Sequence, residues 1–141
     1  MTKIGELGEE VVALWLTQQH YRILYHRWHC RWGEIDLIAL DEKINQLVFI
    51  EVKTRQPKNW DHDGLDMVNV GKQKKINITA QVFLSQHPPW QNYSCRFDLI
   101  LVTYISRKNN YLQDTFKVLN HDQIMDKNHV FTIKKHLKNI I

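Results

Sequence analysis

The sequence predicts an α/β fold, a mixed β-sheet flanked by helices in the order α-β-β-β-α-β-β, and three observations predict it. Apolar residues recur at helical spacing near the N-terminus and again in the middle of the chain. Between those stretches lie two segments rich in Ile, Leu, Val and Phe, separated by the polar loop DEKINQ. Two more strand-like segments, CRFDLILVT and Tyr111–Leu119, follow the second helix. A sheet with helices on its faces buries all of these apolar surfaces.

Taken in order, residues 2–19 read as an amphipathic helix whose stripe collects Ile4, Leu7, Val11, Leu14 and Trp15. Gly5 and Gly8 lie at one margin, where they weaken the helix but let another backbone approach closely. Glu9 falls beside them and Glu10 on the opposite margin. Tyr21–Tyr25 is the first strand, Glu34–Leu40 the second and Leu47–Arg55 the third. A hairpin symmetric about Lys43 and Ile44 sets Leu40 opposite Leu47, Asp36 opposite Glu51 and Glu34 opposite Lys53. One face carries Ile35, Leu37, Ala39, Val48 and Ile50, and the other Ile38, Leu40, Leu47 and Phe49, which places the hairpin centrally with a layer on each side. Residues 56–68 are turn-rich.

A second helix spans roughly Val70 to Gln86, with Ile76, Ala80, Phe83 and Leu84 in its stripe, Gln73 inside that stripe and Lys72 on its edge. Pro88 and Pro89 end it. The polar turn SRKNN joins the last two strands, and the tail HVFTIKKHLKNII reads as either a short helix or a strand. The expected organisation is one domain over residues 1–126 with an unassigned tail at 127–141.

Composition narrows the class. With 141 residues the chain matches one ordinary domain, and 43% hydrophobic with 24% charged residues excludes disordered and collagen-like chains. No apolar run approaches the 18 or so residues of a membrane span, and MTKIGELGEE lacks a signal peptide's apolar region, so a cytoplasmic location is expected. Cys30 and Cys95 form no CxxC pair, which argues against a disulfide framework or a structural zinc site. The net charge of +4 suits a polyanionic partner without demanding one.

The chemistry lies in GEIDLIAL followed by LVFIEVKTR. Residues two apart in a strand share a face, so Glu51 and Lys53 project together, and the hairpin register brings Asp36 across from Glu51. Facing carboxylates repel unless a cation or a proton lies between them. Mg²⁺ or Mn²⁺ takes oxygen ligands and keeps positions for water and phosphate. Lys53 can orient that water or offset charge in the transition state of phosphodiester hydrolysis. Glu9 can reach the same ion from the first helix, and Gln73 can hold water or phosphate from the second.

Plainer readings stand beside these. An ExK triplet alone is more often an ion pair on a solvated strand face, Glu9 a solvent-facing helix residue and Gln73 a satisfied structural amide. Glu34 is expected to pair with Lys53, and Asp98 to form an internal pair with Arg96 outside the catalytic group. Arg55, Lys72, Lys74 and Lys75 could form a rim that contacts phosphates, against the default of a solvated helix face. Trp60 and His62 in the loop could contact bases. The eight His show no metal-ligand spacing.

The stretches GELGEEVVALWL, RWGEIDLIAL, LVFIEVKTR, GKQKKI and CRFDLILV resemble the YraN-like family of small bacterial proteins. That family is similar to archaeal Holliday-junction resolvases of the PD-(D/E)xK nuclease superfamily. The resemblance runs from about Gly5 to about Asp126, and the tail beyond departs from the family's usual end. It implies a restriction-endonuclease-like fold in which Asp36 and Glu51 bind Mg²⁺ or Mn²⁺, Lys53 assists the attack, Glu9 is an accessory ligand and Gln73 lies at the site. It also implies a nucleic-acid partner, DNA first and structured or branched DNA among the forms, and a homodimer that cuts two strands. The alternative is a non-catalytic nucleic-acid-binding module that keeps the nuclease fold, and a protein-only adaptor is a third reading.

Overall fold

The computed structural model describes residues 3–59, 69–108 and 115–141. Its elements are α1 (Lys3–Gln18), β1 (Tyr21–Cys30), β2 (Gly33–Asp41), β3 (Gln46–Arg55), α2 (Val70–Gln86), β4 (Cys95–Ser106), β5 (Lys117–Asn120), β6 (Gln123–Met125) and β7 (His129–Leu137). Among the described residues the strands form one sheet in the order β1-β2-β3-β4-β7-β6-β5. The β3–β4 pair is parallel and the other pairs are antiparallel. A parallel pair needs a crossover, and α2 lies in that connection. Among the described residues no helix is long and apolar enough to cross a membrane.

The expected order α-β-β-β-α-β-β is present, followed by β6 and β7. The hairpin register is the symmetric one: Leu40 pairs with Leu47, and the ladder runs on to Leu37–Ile50. Its two apolar faces carry one helix each. On one side Val11, Val12, Trp15 and Leu16 of α1 pack on Leu37, Ala39, Val48, Ile50, Val52, Ile100 and Phe131. On the other, Ala80 and Phe83 of α2 pack on Ile38, Leu47 and Phe49, with edge-on ring contacts from Phe83 to Phe49 at 5.8 Å and Trp28 at 5.2 Å. Burying large aliphatic and aromatic side chains of this kind stabilises by roughly 1.5–3 kcal/mol each.

α2 has the expected ends because both are chemically marked. Asn69 Oδ1 accepts the Lys72 N–H at 2.9 Å as an N-cap, and the chain leaves the helix at His87, just before Pro88. β1 runs five residues past the expected Tyr25. Its outer half pairs with β2 through Trp28–Ile35 and Cys30–Gly33, and as an edge strand it alternates exposed Arg27 and His29 with half-buried Trp28 and Cys30, a pattern only two repeats long.

Two expectations are corrected and one left open is decided. Leu14 is 39% exposed, and Val12 and Leu16 take the buried positions instead, because VVALWL is apolar nearly all round and does not define its own inner face. Ile35 packs in the α2-side cluster, not with Leu37 and Ala39, since β2 is no longer laddered to β3 beyond Leu37. The tail, open between helix and strand, contains β7, which pairs with both β4 and β6. The expected strand at 111–119 lies partly outside the described residues, and β5 overlaps its end. Of the 56–68 loop, Pro57–Asn59 forms a 3-10 turn, while Trp60 and His62 lie outside the described residues.

Candidate active site

The end of the β2–β3 ladder makes the site. Past Leu37–Ile50 the two strands no longer pair, and the Asp36 carboxylate takes up the backbone donor of the facing strand, its Oδ2 accepting the Val52 N–H at 2.8 Å. Glu51 and Lys53, two apart on β3 and both half-buried, form an ion pair of 3.2 Å. The expected pairing of Lys53 with Glu34 is replaced by this one, because Glu51 shares its strand face while the ladder that would bring Glu34 across has ended.

Glu9 arrives from α1 and is only 5% exposed. It reaches the sheet because α1 approaches β3 closely at Gly8: a Cβ built there would overlap Thr54 Oγ1 and lie 3.0 Å from Thr54 Cβ and Cγ2. Glu9, Glu34, Asp36, Glu51, Lys53, Thr54 and Arg55 line one open cleft of about 370 Å³. Arg27 of β1 stands over α1, with Nη1 2.9 Å from Glu6 and Nε 3.8 Å from Glu9.

Electrostatics follow from that crowding. Asp36 is pushed up to about 8, first by burial and then by the Glu51 charge, with the Val52 N–H opposing, Glu9 adding and Lys53 opposing. Glu9 is pushed up to about 7, mainly by burial; Arg27 opposes the shift, and Glu34, Glu51 and Glu6 add to it. Two acids that resist ionisation at one cleft take up a proton or a cation in exchange. The donor set is carboxylate oxygen, which suits a hard divalent ion. As the side chains are placed, however, Asp36 is engaged by Val52, Glu51 by Lys53 and Glu9 by Arg27. Among the described residues, no group of three or more His, Cys, Asp or Glu stands ready to hold a metal ion.

A model of the uncharacterised protein family UPF0102 matches residues 8–102. The chain belongs to that family. It is the YraN-like family anticipated from the motifs, and the matched span runs from α1 into β4 and includes Glu9, Asp36, Glu51 and Lys53. The UPF0102 protein tll1737 of Thermosynechococcus vestitus is 48% identical over 104 residues, 74% of this chain and 83% of that relative. The UPF0102 protein AM1_3954 of Acaryochloris marina is 43% identical over 128 residues, 82% of this chain and 74% of its own length. The UPF0102 protein sll0189 of Synechocystis is 49% identical over 102 residues, covering 72% and 68%.

The other anticipated residues of this UPF0102 chain fall in three places. Lys72 and Lys75 of α2 line a second cavity that adjoins the cleft and shares Glu34, Glu51 and Lys53 with it. Lys74 is exposed and lines neither, and Gln73 is half-buried on α2 and also lines neither. Arg55 lies at the cleft, its Nη1 donating to the Thr54 carbonyl at 3.0 Å. Two residues of the site escape the sequence reading. Thr54 shares its strand parity with Val48, Ile50 and Val52, which is the signal that turns it toward α1. Arg27 adopts φ 46°, a left-handed backbone that nothing about an arginine announces.

Asp98 does not line the cleft, and its partners outnumber the single Arg96 anticipated. Arg96 bonds Asp98 at 3.0 Å, Asp41 at 3.1 Å and the Tyr21 hydroxyl at 2.7 Å, while His136 Nε2 is 2.7 Å from Asp98. Burial alone would raise the Asp98 pKa, but the hydrogen bonds from His136, Arg96 and the Asn139 N–H hold it below the usual carboxylate value.

Proposed function

We propose that this chain is a metal-dependent nuclease that hydrolyses phosphodiesters of DNA, structured or branched DNA among its substrates, with Asp36, Glu51 and Lys53 as the working group. The observation that carries the reading is that Glu9, Asp36, Glu51 and Lys53, from α1, β2 and β3, line one cleft at the point where β2 and β3 part. Asp36 and Glu51, with Glu9 as accessory, would hold Mg²⁺ or Mn²⁺ there. Bound to these oxygens, such an ion lowers the pKa of a water and neutralises charge on a phosphoryl oxygen. Lys53 Nζ, half-buried and 3.2 Å from Glu51, can orient the attacking water and offset charge developing on the phosphate. The Val52 N–H fixes one Asp36 oxygen, leaving the other for the cleft. Arg55, Lys72, Lys74 and Lys75 contact the backbone phosphates, a role that fits the +4 charge. Gln73 is assigned by resemblance alone, to hold water or phosphate. The cytoplasm as compartment and a homodimer as working form belong to the same proposal.

A second reading is a nucleic-acid-binding module without turnover, favoured by the absence, among the described residues, of an acid cluster already set to hold a metal. One experiment separates them: duplex, single-stranded and four-way-junction DNA incubated with the parent, Asp36→Ala and Glu51→Ala in Mg²⁺ or Mn²⁺. Cleavage by the parent alone supports the nuclease. Salt-dependent binding that survives chelation and Asp36→Ala, with no cleavage by any chain, supports the binding module.

A further inference from the structure

The second cavity, about 200 Å³, opens between α2 and the β3–β4 pair, on the far side of Glu51 and Lys53 from Asp36. Lys53, Lys72 and Lys75 stand on its lining with the acids Glu34 and Glu51, and Ile76 and Leu99 supply an apolar floor. Glu9 and Asp36 line only the other cleft, so this cavity adds the apolar Ile76 and Leu99 to the Glu51, Lys53, Lys72 and Lys75 that the hydrolytic reading already uses. An ion or a bare phosphate would leave the apolar floor of Ile76 and Leu99 unused. A ligand with a flat apolar body and an anionic group meets both parts of the lining. A cavity of about 200 Å³ is large enough for one planar ring system.

We propose that this cavity receives one unpaired nucleobase of the strand whose phosphate lies at Glu51 and Lys53, with Lys72 and Lys75 on the adjoining phosphate. The inference rests on the nuclease reading and narrows its substrate class to DNA that presents an unpaired nucleotide beside the scissile phosphate: single strands, flaps, bulges and branch points. A fully paired duplex must first unstack that base, so it is disfavoured.

The test is arranged so that binding and cleavage are read separately. The parent chain is titrated, in chelator, into DNA carrying 2-aminopurine either at a single-base bulge or fully paired, and the same two DNAs are then offered with Mn²⁺ for cleavage. The variants are Ile76→Trp, which fills the cavity from α2, and Lys75→Ala, an exposed residue whose loss leaves the core intact; urea unfolding checks that both fold. The expected result is a preference for the bulge of about tenfold or more in binding, abolished by Ile76→Trp and reduced by Lys75→Ala. The 2-aminopurine emission should change on binding only in the bulged DNA. If no DNA is cut but the bulge is still bound with this sensitivity to Ile76→Trp, hydrolysis is refuted and the base site stands. If bulged and paired DNA are bound and cut equally, and Ile76→Trp alters neither, the base site is refuted and the nuclease stands.

Discussion

Replacing Gly8 with Ala should destabilise this protein even though alanine is the better helix former. In a helix interior the exchange gains about 1 kcal/mol of propensity. Here the new methyl would overlap Thr54 Oγ1 and press on Thr54 Cβ and Cγ2 at 3.0 Å. Thr54 cannot easily yield, because β3 is laddered to β4 along its whole length, from Leu47–Cys95 to Arg55–Thr103. Overpacking of this kind costs about 1–3 kcal/mol, so the net loss is up to about 2 kcal/mol. Thr54→Ala on its own should be nearly neutral, since it deletes a buried hydroxyl that has no hydrogen-bond partner along with a methyl that packs. In the double variant the overlaps with Oγ1 and Cγ2 are gone and only the 3.0 Å contact with the Cβ at position 54 remains, so the coupling between the two substitutions should be about 1–2 kcal/mol in the stabilising direction. Urea unfolding of the four chains measures it, provided the m-values agree. Should Gly8→Ala raise stability by its propensity alone, and add to Thr54→Ala within about 0.5 kcal/mol, the close approach that brings Glu9 to the cleft would be refuted.

Other expectations follow from the same contacts. Arg96→Ala leaves Asp98 and Asp41 buried without their shared cation and should cost about 3–5 kcal/mol in urea unfolding; a loss under about 1 kcal/mol would mean the network is not a buried charge balance. In chelator, folding takes up protons at Asp36, whose pKa rises from 3.8 unfolded to about 8 folded, so stability falls as pH rises between those values. Each proton contributes a slope of about 1.4 kcal/mol per pH unit, and Asp36→Asn should flatten the profile by that share, becoming progressively more stable than the parent toward pH 8. Parallel profiles for the two chains would show that Asp36 ionises normally.

Much of this was open to sequence reasoning where local chemistry decides. A polar loop between two apolar runs sets the Leu40–Leu47 register, and Asn69 with Pro88 sets the bounds of α2. That Glu51 and Lys53 share a strand face follows from parity alone, although their pairing with each other in place of Glu34 with Lys53 does not. What stayed hidden depends on partners distant in sequence. Tyr21, Asp41 and His136 join Arg96 and Asp98 from three other strands, and no spacing in the chain links them. α1 buries Leu16 and exposes Leu14 because the sheet, not the helix, chooses the inner face of a segment apolar all round. β1 and β5 sit at sheet edges, where alternation is not required, and β7 mixes exposed lysines with Phe131 and Ile133, a pattern that fits helix and strand alike until β4 and β6 enclose it.

Whether Asp36 and Glu51 share a divalent cation is read by calorimetric titration with Mn²⁺ at pH 8. The parent chain should show a saturable site, accompanied by proton release, and weakened by about tenfold or more in both Asp36→Asn and Glu51→Gln. Absence of binding in the millimolar range, or equal affinity in all three chains, would contradict a shared cation.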